Sequence, residues 1–310
     1  MNEPKAMTMP TPRMIADRLR ADEPALVSSL DFGPFVRQGS GAGPTLIIGD
    51  PSEISLFAPA DKPGLEYRMG LLAHPGDVVL VRRRDPAFEA YLTRYLEMKG
   101  VAFVEVGKAG VGAVARLARQ TPDLIDRLAR LAAEHGGMTI KSYLTTGHVW
   151  RLAQAIGDAS RQPVTVCGPS PRATRRVNDK LWFSRLVQDV LGQNATPPTL
   201  SAYGPAATAG LVSYNSKRAE RVVVKVPDSA GSTGNIRLQS NRVRAMSLTR
   251  LRRFLLDRLH AVGWRDRYPV LVGVWDTDVL CSPSAQHWLQ RIEEGDTVCE
   301  ANFEPTDRGA

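Results

Sequence analysis

Val222, Val223, Val224 and Lys225, followed by Gly231-Ser232-Thr233-Gly234-Asn235, put one cation at the end of a β-branched run and a small-residue loop just beyond it. Together they can hold a polyphosphate. The valines suit a buried strand, from which Lys225 projects an ammonium toward a site. Gly231 and Gly234 permit close backbone approach, so N–H groups from Gly231 to Asn235 can point at phosphate oxygens. The order excludes a Walker A loop, G-x-x-x-x-G-K-[ST], because there the lysine follows the glycines and here it precedes them. The same residues also fit a core strand with a snorkelling lysine and a Gly/Ser hairpin turn. The neighbouring elements bear on that choice.

Upstream, Asn178-Asp179-Lys180 opens a segment, Leu181 to Val187, whose apolar residues recur at helical spacing; it stops near Leu191-Gly192, ahead of Pro197-Pro198. Downstream, Tyr268 to Trp275 reads as an apolar strand containing Val272 and Gly273, running into Asp276 and then Cys281 to Trp288. Helix with a lysine, then strand, lysine and glycine loop, then apolar strand, is an order that resembles the ATP-grasp superfamily. More narrowly, VVVKVPDSAGSTGN and SPSAQHW are similar to segments of the pheganomycin-type peptide ligases.

The resemblance extends upstream. Leu65 to Leu72, Asp77 to Val81, Tyr91 to Leu96 and Tyr143 to Gly157 are similar to the pre-ATP-grasp domain that precedes the ligase domain in that family. The alternation along this region supports a parallel α/β sheet: strands at Thr45–Asp50, Val78–Arg82, Val101–Val106 and from Val164, helices at Phe88–Lys99 and Pro122–His135. After the first of these strands, Gly49-Asp50-Pro51-Ser52 does not supply the G-x-G-x-x-G of a dinucleotide fold. The expected organisation is α/β throughout. Residues 1–43 form a helical segment, Arg13 to Leu30, and a Gly-rich link; 44–168 a Rossmann-like pre-ATP-grasp domain; 169–310 the N-terminal portion of an ATP-grasp domain, with Gly168-Pro169-Ser170-Pro171 at the boundary.

The resemblance implies an ATP-dependent carboxylate–amine ligase that passes through an acylphosphate, with ATP and Mg2+ as cofactors and a small acid, amine or peptide as substrates. It assigns the phosphates to Lys180 and Lys225, closure over the β- and γ-phosphates to Gly231, Ser232, Thr233, Gly234 and Asn235, and the adenine to the backbone around Val272 and Gly273. Family members often carry a glutamate where Gly273 stands, which leaves Asp276 as the substitute. The late Glu-x-Asn that holds magnesium in the family has no counterpart at the right distance. Glu300-Ala301-Asn302 spells it too close to Trp288 and is expected to face solvent. Catalytic and metal-binding residues therefore stay unassigned. A second reading is a truncated nucleotide-binding protein that does not turn over alone, or that works with a separately encoded C-terminal ligase part.

Composition narrows the class without choosing an activity. Hydrophobic residues make up 43% and charged residues 23% of the 310, ordinary for a chain with room for two domains. No apolar run approaches the roughly 18 residues that span a bilayer, and the Met1-Asn2-Glu3-Pro4 start has no signal-like apolar core. A cytoplasmic enzyme is expected. Cys167, Cys281 and Cys299 are scattered, with no C-x-x-C, and read as free thiols; the histidines have no paired ligand spacing. Trp182, Trp275 and Trp288 are read as packing residues. The net charge of +8, with clusters Arg82-Arg83-Arg84 and Arg172, Arg175 and Arg176, raises nucleic-acid binding as a third reading, against which stands the lack of any stacking or groove-reading module.

Overall fold

The computed structural model describes residues 11–23, 31–54, 56, 64–106, 112–230, 232–277, 279–280, 284–289 and 299–304. The chain divides into two compact units, residues 1–196 with 226–234, and residues 197–225 with 235–310. Among the described residues no helix is long and apolar enough to cross a membrane.

The first unit runs α1 (Pro12–Asp22), β1 (Val36–Gln38), β2 (Thr45–Ile48), α2 (Tyr67–Gly70), β3 (Val78–Val81), α3 (Pro86–Tyr95), β4 (Ala102–Glu105), α4 (Val114–Arg119), α5 (Pro122–Glu134), β5 (Met138–Ser142), α6 (Gly147–Ser160), β6 (Val164–Cys167), α7 (Pro171–Val177) and α8 (Lys180–Leu191). Its six strands form one parallel sheet in the order β1-β6-β5-β2-β3-β4. Successive side chains of a strand point to opposite faces, so an unbroken apolar run feeds two cores. Leu46, Ile48, Val78, Leu80 and Ile140 join α4, α5 and α6 on one side. Ile47, Val79 and Val81 join Tyr67 of α2 and Leu92 of α3 on the other.

Helix starts follow local chemistry. Asp85 caps α3 by accepting from the Phe88 N–H at 3.0 Å, with Pro86 in the first turn, and Ser170 caps α7 from the Ala173 N–H at 3.1 Å. Two expectations need correction. The segment 1–43 is not only helix and link: Val36–Gln38 adds a parallel edge strand to β6, a pairing too short to leave a periodic signal. The expected strands also lack Met138–Ser142, which pairs between β2 and β6. The end of the expected first helix, beyond Glu23, lies outside the described residues.

The second unit contains β7 (Thr199–Ala202), α9 (Pro205–Ser216), β8 (Arg221–Lys225), β9 (Asn235–Gln239), α10 (Ser240–Arg244), α11 (Leu248–Ala261) and β10 (Val270–Val274), with β11 (Ser284–Leu289) and β12 (Cys299–Glu304) as a separate antiparallel pair. The main sheet is antiparallel in the order β7-β10-β8-β9. Register collects Val222, Val224, Ile236, Leu238 and Val272, all buried, on one face. Leu251, Leu255 and Leu259 make the buried stripe of α11.

Candidate functional site

The hairpin from β8 to β9 carries most of the residues singled out for phosphate. Lys225 ends β8 as the register partner of Asn235, the first residue of β9, and of Leu271 in β10. Side chains alternate, so the face that holds Lys225 and Asn235 also holds Val223, Arg237 and Gly273 in the next row. The Arg237 guanidinium lies over the Trp275 ring at 4.5 Å from its centroid, and the Trp275 N–H donates to the Arg221 carbonyl at 3.0 Å. Asn235 Oδ1 and Arg221 Nε are buried and have no hydrogen-bond partner among the described residues. This polar edge is what the sequence reading missed. Alternation from Asn235 through Arg237 was its available signal.

The loop between these strands is closed on itself. The Val226 N–H donates to the Gly234 carbonyl at 3.0 Å, and the Thr233 N–H to the Ala230 carbonyl at 3.1 Å. Ser232 is exposed with φ +64°, and Thr233 is half-buried. Gly234 has φ +84°, and a Cβ there would stand 2.7 Å from Leu56 Cδ1 and 3.1 Å from Ser229 Oγ, so both dihedral and space call for glycine. Gly231 lies outside the described residues.

Lys180 opens α8, where the Asp179 carboxylate caps the helix by accepting from the Leu181 N–H at 2.9 Å and the Trp182 N–H at 3.4 Å. Its ammonium donates to the Pro227 carbonyl at 3.0 Å, to the Ser229 hydroxyl at 3.0 Å and to the Ser229 carbonyl. Lys180 is thus brought to the foot of the loop, residues 227–229.

Val272 and Gly273 sit in the middle of the sheet. β10 is flanked on both sides, with Val272 opposite Leu200 and Val224, and Gly273 opposite Thr199 and Val223. Their N–H and C=O groups belong to the two ladders. The Val274 N–H goes to the Pro198 carbonyl at 3.3 Å, so the first residue past the pairing is Asp276, which is exposed. A Cβ on Gly273 would lie 2.9 Å from Thr199 Oγ1 and 3.0 Å from the Pro198 carbonyl oxygen. The glycine lets β7 approach β10.

The basic clusters are partly neutralised within the first unit. Arg82 pairs with the buried Asp50 at 3.3 Å, Arg84 with Glu89, and Arg176 with Glu23, which also accepts from the Trp182 indole at 3.0 Å. Arg176 holds the Glu23 carboxyl below its ordinary pKa. Arg83, Arg172 and Arg175 are exposed. Asp50 further accepts from the Ser52 N–H and hydroxyl and from the Val114 N–H that opens α4. Its carboxylate therefore occupies a helix N-terminus. Nearby, Glu53 accepts from the Thr146 hydroxyl and lies 4.0 Å from His148 Nε2; burial is the main cause that lifts its pKa above the ordinary value. Among the described residues no group of three or more His, Cys, Asp or Glu side chains converges as a metal site. Glu300 and Asn302 alternate along β12 opposite Trp288 and Gln286; their side chains, and Cys281, lie outside the description.

Residues 66–157 match the family model described as the Pre ATP-grasp domain. No curated protein matches the chain. Solved structures to which the chain shows similarity include D-alanyl-alanine synthetase A from Vibrio cholerae O1 biovar eltor str. N16961, 12% identical over 56% of this chain and 46% of that one, with a TM-score of 0.35. A second is the biotin carboxylase domain dimer of the Hydrogenobacter thermophilus 2-oxoglutarate carboxylase in complex with MgADP, ADP and bicarbonate, 14% identical over 76% and 45%, with a TM-score of 0.36. A third is the D-cycloserine synthetase DcsG, 14% identical over 75% and 59%, with a TM-score of 0.32. The chain spans about half the length of these proteins.

Proposed function

From a chain that carries a pre ATP-grasp domain over residues 66–157, we propose a nucleotide-dependent ligase that joins a carboxylate to an amine through an acylphosphate. The observation that carries the reading is the β8–β9 hairpin: Lys225 and Asn235 face each other in register and close a Gly/Ser/Thr loop. An ammonium at a strand end beside a loop rich in backbone N–H groups suits the β- and γ-phosphates of ATP.

In this reading a carboxylate oxygen of the acid substrate attacks the γ-phosphorus, and the bond to the ADP oxygen breaks. The amine nitrogen then attacks the acyl carbon, the bond to phosphate breaks, and the nitrogen loses a proton. Lys225 offsets the charge that builds on the transferring group, and Ser232 and Thr233, at the loop tip, keep water from the acylphosphate. Because the backbone of β10 is committed to its ladders, hydrogen bonds to the adenine edge fall to the residues from Asp276 onward. Arg237 and Trp275 bound the nucleotide on the Lys225 face. Magnesium enters with ATP as the counter-charge of its phosphates, and no described residue is assigned to it. The acid and amine, including a peptide, are substrates by the same reading.

The test is the thermal midpoint of the full chain with and without excess Mg-ATP, in wild type and Lys225→Met. A ligand at about 100 times its dissociation constant adds roughly 2.7 kcal/mol. The wild type is expected to shift upward and the variant not to. Equal shifts in both, or none in the wild type, reject the phosphate grip. Release of ADP and phosphate that needs both an acid and an amine separates ligase from nucleotide binder; ATP binding without that release favours the second reading, including its need for a separate C-terminal part.

A further inference from the structure

We propose that the arginine-rich face of α10 and α11 binds the phosphodiester backbone of a nucleic-acid duplex without reading its sequence. The inference is independent of the nucleotide site, since it uses none of the residues assigned to ATP.

Between Arg242 and Arg267 the chain carries eight arginines against two aspartates, Asp257 and Asp266, a net of +6 in 26 residues of a protein whose total is +8. The charge is therefore concentrated rather than spread. Packing turns it outward. Leu251, Leu255 and Leu259 are the buried stripe of α11, and Arg250, Arg252, Arg253 and Arg258 fall on the rest of its surface, all exposed. Arg242 and Arg244 of α10 are exposed too, and the Arg244 guanidinium donates to the Ser216 carbonyl at the end of α9. That bond brings the exposed Lys217 and Arg218 to the same corner of the second unit. Arg82, Arg84 and Arg176 have acidic partners, whereas these six arginines of α10 and α11 have no ion pair among the described residues. Arg250 and Arg253 stand three residues apart, so their charges repel across one turn. An anionic partner removes that cost.

The chemistry of the face selects the occupant. Guanidinium groups bind phosphate oxygens in a planar, bidentate fork. A protein partner needs an apolar centre to bury, and among residues 242–267 Leu248 is the one exposed large apolar side chain. A membrane needs an apolar face to insert, and that of α11 is already buried. Single strands need aromatic platforms, but Trp264 is buried and Phe254 half-buried. What remains is dense positive charge. The 14 residues of α11 span about 21 Å, long enough to lie along several phosphates of a duplex.

The experiment is fluorescence anisotropy of labelled DNA and RNA duplexes of one sequence, titrated with the full chain from about 50 to 200 mM salt. Wild type is expected to bind at least one of them, with log K falling steeply against log salt. Arg250→Gln, Arg253→Gln and Arg258→Gln combined are expected to flatten that slope by about 2–3, at roughly 0.9 per phosphate contact. A control removes equal charge from the first unit, through Arg83→Gln, Arg172→Gln and Arg175→Gln, and is expected to flatten it by less than about 1. Equal flattening in the two triples overturns the proposal in favour of the charge of the whole chain; no binding by wild type overturns it outright. Thermal melts report whether the α11 variant folds, and if it does not, Arg253→Gln alone decides by a loss of about 0.9 in the slope. Poly-glutamate or phosphatidylserine vesicles that displace the duplex at equal negative charge overturn the proposal in favour of an acidic protein or a membrane. Mg-ATP that displaces it at constant ionic strength puts the phosphates in the nucleotide site and overturns it too. Duplex binding that survives saturating Mg-ATP supports the proposal, whether or not the chain binds ATP.

Discussion

Gly234→Ala offers a magnitude that the structure supplies in two separable parts. At φ +84° an L-residue costs about 1–2 kcal/mol. The added methyl would also stand 2.7 Å from Leu56 Cδ1, 3.1 Å from Ser229 Oγ and 3.2 Å from Ser229 Cβ. The leucine tip can swing aside, but Ser229 is held by Lys180 and Val226, so part of the overlap stays as packing strain of about 1–3 kcal/mol. Gly76 is the control. It lies in the same unit at φ +93°, with nothing within 4 Å of its missing Cβ, so Gly76→Ala carries the dihedral cost without the clash. Urea unfolding, read from the parallel sheet of the first unit, is expected to rank Gly234→Ala below Gly76→Ala by about 1–3 kcal/mol. Equal losses would refute the packed loop foot, because they would leave only the dihedral in common.

Two further predictions concern charge in the first unit. Arg82→Met leaves Asp50 buried with only its hydrogen bonds to Ser52 and Val114, and is expected to lower stability toward the lower end of the roughly 3–5 kcal/mol lost when one partner of a buried pair is removed; Asp50→Asn in the same chain should recover part of that loss, and urea midpoints of the single and double variants measure both. For Glu53 the sign follows from burial. Its pKa is raised from 4.5, so its favourable contribution is complete below that value and is lost as pH rises through the raised one. Glu53→Gln removes this dependence, and its stability relative to wild type should improve between pH 4.5 and neutrality; a difference that stays flat in thermal melts across that window would contradict the assignment.

Much of the scaffold was legible because its signals are local. Thr45 to Asp50 and Val78 to Arg82 read as strands, and Pro122 to His135 as an amphipathic helix, from their apolar patterns; β2, β3 and α5 lie within those bounds. The Lys225 strand and the loop after it were visible for the same reason. β1, β5 and β7 were not, since short strands owe their form to partners distant in the chain. Gly273 illustrates the difference. In the sequence it is one glycine in an apolar run; in the sheet it is the point where a Cβ would stand 2.9 Å from Thr199 Oγ1 and 3.0 Å from the Pro198 carbonyl oxygen.

Residue type and order alone established an α/β chain with a cation and a flexible loop in the order lysine first, because strand, helix and turn preferences act between near neighbours. Partnership came from the tertiary structure. Folding delivered the Lys180 ammonium to the Pro227 and Ser229 oxygens, set Arg237 over Trp275, and enclosed Asp50 with Arg82, in each case joining residues distant in sequence. Hydrogen bonds and ion pairs depend on distance in space, and only the packed sheets and helices define that distance.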